Sequence, residues 1–319
     1  MSHIPSPTER INGCLLGGAI GDALGYRVEF HSWSAIEREF GSGGVRDMHS
    51  NLVSDDTQMT LFTAQGLLEA RPGKEFGAVR KSYLDWLDTQ RLPMPHVHAH
   101  GLASEEWLYN RRAPGQACIT GLRNGGRPGV NPDSKGCGTV MRSAPFGLMG
   151  LSPEAAYDLS ARCATITHGH PTAAEAAGAF AMITAHIMNG ADLNRAVDDT
   201  LLYLQRDPSS SETADALNAA YELAGRIPPE PGSARHLGEG WTAEEALGIG
   251  VYCALGAPDP ASALTAAVSH GGDSDSTGSV CGNLVGAAFG EGALPDQWKQ
   301  VEGQATILKI GGRLAKEFH

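Results

Sequence analysis

Strand signals are nearly missing from this chain of 319 residues: no convincing run alternates Val, Ile and Thr with polar positions. That absence argues against any sheet-based fold. Aromatic residues are few, at 6%, so the core has to close around small side chains. No apolar stretch reaches the ~20 residues of a membrane span. The opening MSHIPSPTER lacks a basic-then-apolar leader pattern, so neither a membrane nor secretion is expected. The six cysteines, Cys14, Cys118, Cys137, Cys163, Cys253 and Cys281, form no CxxC pair and mostly sit inside apolar patterns. They read as ordinary buried thiols, and the cytoplasm is the expected compartment. No basic run offsets the net charge of −12. Non-specific binding to nucleic acid or to an anionic membrane is therefore not expected. An anionic ligand would need cations or backbone amides to supply the positive field.

What is present is helical periodicity. Apolar residues recur at helical spacing over 11–25, 57–70, 75–90, 153–168, 171–189, 192–205, 212–225, 259–269, 278–289 and 297–316. Ser152 before Pro153 marks a helix start, and Thr242 with Glu245 predicts a capping box opening a helix toward Leu255. Loops are expected at 91–101, 123–138 and 226–240. With 41% hydrophobic and 19% charged residues, no internal repeat and no low-complexity linker, the chain reads as globular. One all-α domain spanning 1–319 is expected.

Two helices carry glycine on one ridge. Gly13, Gly17, Gly21 and Gly25 recur every fourth residue, as do Gly278, Gly282, Gly286 and Gly290. A helical glycine costs roughly 1 kcal/mol relative to alanine, so each ridge needs a compensating gain. Close backbone approach along the i±4 ridge supplies one. If the ridges meet, Gly282→Leu forces the helices apart, whereas helical φ alone predicts that Gly282→Ala is nearly silent.

Two carboxylate clusters open apolar helices: Ser54-Asp55-Asp56-Thr57, and Asp273-Ser274-Asp275-Ser276-Thr277 after Gly271-Gly272. Each could be a simple N-cap, since Ser and Asp are favoured there. A cap needs one oxygen, however, and a second carboxylate beside it is repelled unless a cation neutralises the pair. Hard oxygen donors without sulfur suit Mg²⁺ or Mn²⁺. An EF-hand is ruled out, because its fifth and twelfth positions would be Thr277 and Leu284. His96, His98 and His100 space like a transition-metal clamp, but Pro93 and Pro95 make them a surface loop. Asp22, inside the first glycine ridge, reads as a structural acceptor.

In order along the chain, GCLLGGAIGDALGYRVEF, SDDTQMTL, GCGTVMRSAPFGL, THGHP, GWTAEEAL and GGDSDSTGSVCGNLVGA resemble the ADP-ribosylglycohydrolase family. The resemblance covers nearly the whole chain. It implies a compact, single-domain orthogonal helix bundle with a two-metal cleft. It also implies metal ligation by Ser54, Asp55, Asp56, Asp273, Asp275 and Ser276, with serine at two positions where the family usually has threonine. Glu29 matches the family's acidic residue after the first helix and becomes the candidate catalytic residue. His168 matches a histidine near the ADP-ribose. Gly136, Cys137, Gly138 and Thr139 align with a Gly-Asn-Gly loop, whose backbone N–H groups would serve the diphosphate or distal ribose. Cys137 replaces the asparagine. Some members carry an Asp-Ile-Gly element before this loop with a proposed catalytic aspartate. Here that region reads Arg111-Arg112-Ala113-Pro114-Gly115-Gln116, so no base is carried over from it.

The implied activity is metal-dependent hydrolysis that releases ADP-ribose from an ADP-ribosylated protein or other ADP-ribosylated substrate. The bond broken is at the anomeric carbon, through an oxocarbenium-like transition state. Two Mg²⁺ or Mn²⁺ ions would hold the ribose diol and lower the pKa of a water, and Glu29 would take its proton. Two other readings remain: a hydrolase of free ADP-ribose derivatives or ADP-ribosylated nucleic acid, and a non-catalytic ADP-ribose binder.

Overall fold

The computed structural model describes residues 4–207 and 210–319. Met1–His3, the first residues of the opening segment read above, lie outside that range. Among the described residues fourteen α-helices run in chain order. The first seven are α1 Pro7–Gly25, α2 Trp33–Phe40, α3 Asp55–Leu68, α4 Glu75–Thr89, α5 Gln116–Arg123, α6 Ala144–Gly147 and α7 Pro153–Ala164. The rest are α8 Pro171–Met188, α9 Leu193–Leu204, α10 Ser211–Ala224, α11 Ala243–Gly256, α12 Pro260–Ala267, α13 Ser274–Phe289 and α14 Gln304–Phe318. Among the described residues there is no β-sheet, only an isolated bridge between Gly136 and Thr242. None of these helices is long and apolar enough to cross a membrane.

Helix α1 starts on a reciprocal cap. The Ser6 hydroxyl accepts the Glu9 N–H at 3.3 Å, and the Glu9 carboxylate takes the Ser6 N–H at 2.8 Å, with Pro7 at the first helical position. From Gly13 to Gly25 every residue of α1 is buried. It lies antiparallel against α13, and the two glycine ridges meet backbone to backbone. A Cβ added at Gly13 would lie 2.3 Å from the Gly286 carbonyl oxygen; at Gly17, 2.2 Å from that of Gly282; at Gly21, 1.9 Å from that of Gly278. Gly25 faces the Ser274 carbonyl in the same way. Gly290 differs, since it ends α13 at φ +80° and faces Pro5. The Asn283 amide donates to the Cys14 carbonyl at 2.7 Å and locks the pairing beside the ridge. Gly282→Ala is therefore not silent: its methyl would sit 2.0 Å from the Gly17 oxygen, where neither partner is a flexible side chain.

Helix α8 is buried along most of its length and packs against α6, α7, α9 and α11. Six of the expected spans match within three residues at each end: α3, α4, α8, α9, α10 and α12. Ser152 caps α7 as predicted, accepting the Ala155 N–H at 3.2 Å. The capping box at α11 does not form. The Thr242 hydroxyl has no partner, and Glu245 instead accepts the Gly240 N–H at 3.2 Å. The last helix begins only at Gln304, because 297–303 is taken up by a 3-10 turn and a loop that turns at Gly303, φ +73°. Helices α2, α5 and the single turn α6 were not anticipated. The first two have eight residues each; α2 buries only Ile36, and α5 follows an N-cap glycine, Gly115, that offers no side-chain cap.

Candidate active site

Asp22 of α1 organises the start of α3. It accepts the Ser54 N–H at 2.9 Å, the Thr57 N–H at 3.1 Å and the Thr57 hydroxyl at 2.5 Å. The Ser54 hydroxyl takes the Asp56 N–H at 3.2 Å. The orphan amides of the helix start are thus served by Ser54 and by a carboxylate from another helix. Asp55 and Asp56 are released from capping. Asp55 accepts the Gly115 N–H at 3.0 Å, while one Asp56 oxygen, fully buried, has no hydrogen-bond partner.

The second cluster is set by a turn that requires glycine. Gly271 and Gly272 have φ of +92° and +109°, and a Cβ at Gly272 would lie 2.2 Å from the Glu239 carbonyl oxygen. Gly272 N–H donates to the His31 carbonyl at 3.0 Å, and Phe30 N–H donates to the Gly272 carbonyl at 3.2 Å. These two bonds staple the segment after α1 to the start of α13. Carboxylate oxygens of Glu29, Asp273 and Asp275 consequently lie within 4.8 Å of one another. The Cys137 thiol donates to Asp273 at 2.8 Å.

A cavity of about 390 Å³ opens between the two clusters. Glu29, Asp55, Asp56, Asp273, Asp275 and Ser276 line one side; Gly136, Cys137, Gly138 and His168 line another. Ser54 does not line the cavity; it lies within hydrogen-bonding reach of Asp275, whose pKa is raised by burial and only partly brought back by such hydrogen bonds. Thr139 does not reach the cavity: its hydroxyl donates to the Ala173 carbonyl at 2.8 Å. The Cys137 N–H is not free for a ligand either, since it donates to the Trp241 carbonyl at 3.1 Å. His96, His98 and His100 are exposed and belong to no metal-ligand grouping among the described residues.

Burial and mutual repulsion work together on the acidic groups. Burial is the larger cause, followed by Asp275, in pushing Glu29 up to about 10 and Asp22 to about 7. Asp55, Asp56 and Asp273 are also raised, first by burial and then in part by the charge of Asp275. A divalent cation relieves both penalties at once, and the donors are hard oxygens, so the residues fit Mg²⁺ or Mn²⁺. A pH dependence follows. Folded-state values above the unfolded ~4 mean that the folded chain binds more protons. Stability without added metal is therefore greatest near pH 4 and falls as pH rises through about 7 for Asp22 and about 10 for Glu29. Melting curves between pH 4 and 9 should show this decline, and millimolar Mg²⁺ should restore most at the alkaline end. A Mg²⁺ gain that is flat with pH would contradict it.

Several lining residues escaped the sequence reading. Arg111, Ala113, Pro114, Gly115 and Gln116 occupy the wall where the Asp-Ile-Gly element is missing. Neighbouring Arg112 is tied down by a two-pronged ion pair with Glu302 and by the Val53 carbonyl. Phe30 and Trp241 stack at the cavity, with ring centroids 5.4 Å apart and planes 16° from parallel. Phe30 holds φ at +67° while mostly exposed. No local sequence pattern marks such a backbone; only its place beside Glu29 hints at it.

Two acidic helix starts and a glycine loop thus meet around one cavity, an arrangement of hard oxygen donors suited to cations facing a loop suited to an anionic ligand. The family model for ADP-ribosylglycohydrolase matches residues 4–319, and the chain belongs to that family. It is similar to the ADP-ribosyl-[dinitrogen reductase] glycohydrolase of Rhodospirillum rubrum, 24% identical over 92% of this chain and 90% of the relative. It is also similar to ADP-ribosylhydrolase ARH3 of Mus musculus, 23% identical over 91% and 86% of the two chains. A solved structure described as an ADP-ribosylglycohydrolase-related protein complex shares the fold, with a TM-score of 0.73, 23% identity and coverage of 98% and 99%.

Proposed function

We propose that the chain releases ADP-ribose from ADP-ribosylated protein by hydrolysis at the anomeric carbon, with two Mg²⁺ or Mn²⁺ ions as cofactors. The carrying observation is the pair of facing carboxylate clusters, with a buried Asp56 oxygen that nothing in the described chain satisfies. Ser54, Asp55 and Asp56 on α3, with Asp273, Asp275 and Ser276 at α13, would hold the ions. When bound, the ions supply Lewis-acid charge to the ribose hydroxyls and to the attacking water. Glu29 stands beside Asp273 and Asp275 with an edge open to the cavity, placed to take the proton that the water gives up once bound cations offset the burial and repulsion that raise its pKa. Gly138, whose short helical turn has no side-chain cap, offers its amide on the opposite side, and His168 lies beside it. All six cysteines are unpaired, which supports a reducing, cytoplasmic setting.

The test is a release assay on arginine-linked, serine-linked and nucleotide-linked ADP-ribose, run with Mg²⁺, with Mn²⁺ and in excess EDTA. Metal-dependent release from a protein-linked substrate is expected. Full activity in EDTA would remove the metal role, and release from the nucleotide-linked substrate alone would reassign the target.

A further inference from the structure

A buried cation lies beneath the cavity floor. Arg142, at the end of the helical turn Cys137–Arg142, is 1% exposed and has no carboxylate within ion-pair distance among the described residues. Burying an unpaired charge is costly unless hydrogen bonds hold it. Its guanidinium sits 4.4 Å over the Tyr83 ring and donates to the Thr167 hydroxyl at 2.7 Å. Its other bonds go to sulfur, at 3.3 Å to Cys118 and 3.6 Å to Met59. Thr167 in turn lies 2.8 Å from Nδ1 of His168. The far nitrogen of that ring, Nε2, has no hydrogen-bond partner among the described residues and faces Gly136 and Gly138 at the cavity.

We propose that Arg142 is a positioning residue: through Thr167 it fixes His168 in the tautomer protonated on Nε2, giving the cavity a standing N–H donor for an acceptor oxygen of the ligand. A guanidinium can only donate, so the Thr167 oxygen accepts and its own proton must go elsewhere. Two acceptors lie in reach. One is the imidazole nitrogen; the other is the Cys118 sulfur, a weak acceptor that already takes an Arg142 N–H. The nitrogen wins, Nδ1 becomes the acceptor, and the ring proton is left on Nε2. Burial, and then the Arg142 charge, push the imidazole down to about 3, so the ring stays neutral. His168 therefore gives a hydrogen bond to a hydroxyl or phosphate oxygen and does not act as a base. The identity of that ligand rests on the proposed function; the tautomer is a property of the protein alone.

The experiment is long-range ¹H–¹⁵N correlation on histidine-labelled protein, which reads the tautomer directly, paired with calorimetry using ADP-ribose. Wild type and Thr167→Ser should both show Nδ1 unprotonated and Nε2 protonated. Thr167→Val removes the relay with little change of shape and should give mixed tautomers and about tenfold weaker binding. Arg142→Met should also release the ring, and if that variant fails to fold, the Thr167 pair tests the same relay with the cation in place. A wild-type ring protonated on Nδ1, or an unchanged tautomer in Thr167→Val, overturns the proposal. A wild type with the stated tautomer that binds no ADP-ribose supports the relay and overturns the proposed ligand.

Discussion

Asp275→Ala is expected to lose turnover by about 100- to 1000-fold, the scale for removing one electrostatic group from a transition-state site, while remaining folded. Asp275 is the common repulsive neighbour: its charge contributes to the raised pKa values of Asp22, Glu29, Asp55, Asp56 and Asp273. Without metal its removal relieves the cluster, so the metal-free variant should melt no lower than metal-free wild type. With metal the order reverses, because the variant has lost a ligand and should show little rise in melting temperature on adding Mg²⁺. This crossing of the two stability orders separates a metal ligand from a structural carboxylate, which would lower the melting temperature in both conditions. Wild-type turnover in Asp275→Ala, or an undiminished response to Mg²⁺, would remove Asp275 from the metal site.

Gly282→Ala is expected to be strongly damaging although it adds a single methyl. The added carbon would lie 2.0 Å from the Gly17 oxygen and 2.5 Å from its carbonyl carbon. Both belong to the backbone of α1, so no rotamer change relieves the clash and the helices must part. Overpacking typically costs 1–3 kcal/mol, and here the upper end or beyond is expected. Parting α13 from α1 also moves Asp273 and Asp275 away from Glu29. A displacement of about 1 Å at a reacting centre can cost about a hundredfold in rate. Gly312→Ala in α14 is the control, because nothing lies within 4 Å of its added carbon. It should stabilise by roughly 0.5–1 kcal/mol through helix propensity alone. Equal melting temperatures for the two variants would mean that the ridges are not in backbone contact.

The contrast between those two glycines shows where sequence reading stops. Every-fourth-residue spacing marked Gly278, Gly282 and Gly286 as a ridge, but spacing describes one helix at a time and cannot tell whether an alanine at Gly282 is silent or damaging. The distinction needs the partner backbone. The same holds for Thr242 and Glu245, which have the spacing of a capping box, yet Glu245 turns to the Gly240 amide once the preceding loop is folded. Short helices fail differently: α2 buries a single residue, so it leaves no stripe for periodicity to detect.

By itself the sequence determined the helical class, most long helices, the two acidic helix starts and the family to which they belong. Those features are local: a period of 3.6, a capping residue or a motif is carried by neighbours in the chain, and propensity and hydrogen bonding act over that range. Only the tertiary structure decided that Asp22 from α1 serves the amides of α3 and thereby frees Asp55 and Asp56. It also decided that Glu29 meets Asp273 and Asp275, and that Arg142 reaches His168 through Thr167. These pairings join residues far apart in the chain. Which carboxylate is spent on a cap and which is left to the cavity depends on what the fold brings alongside it.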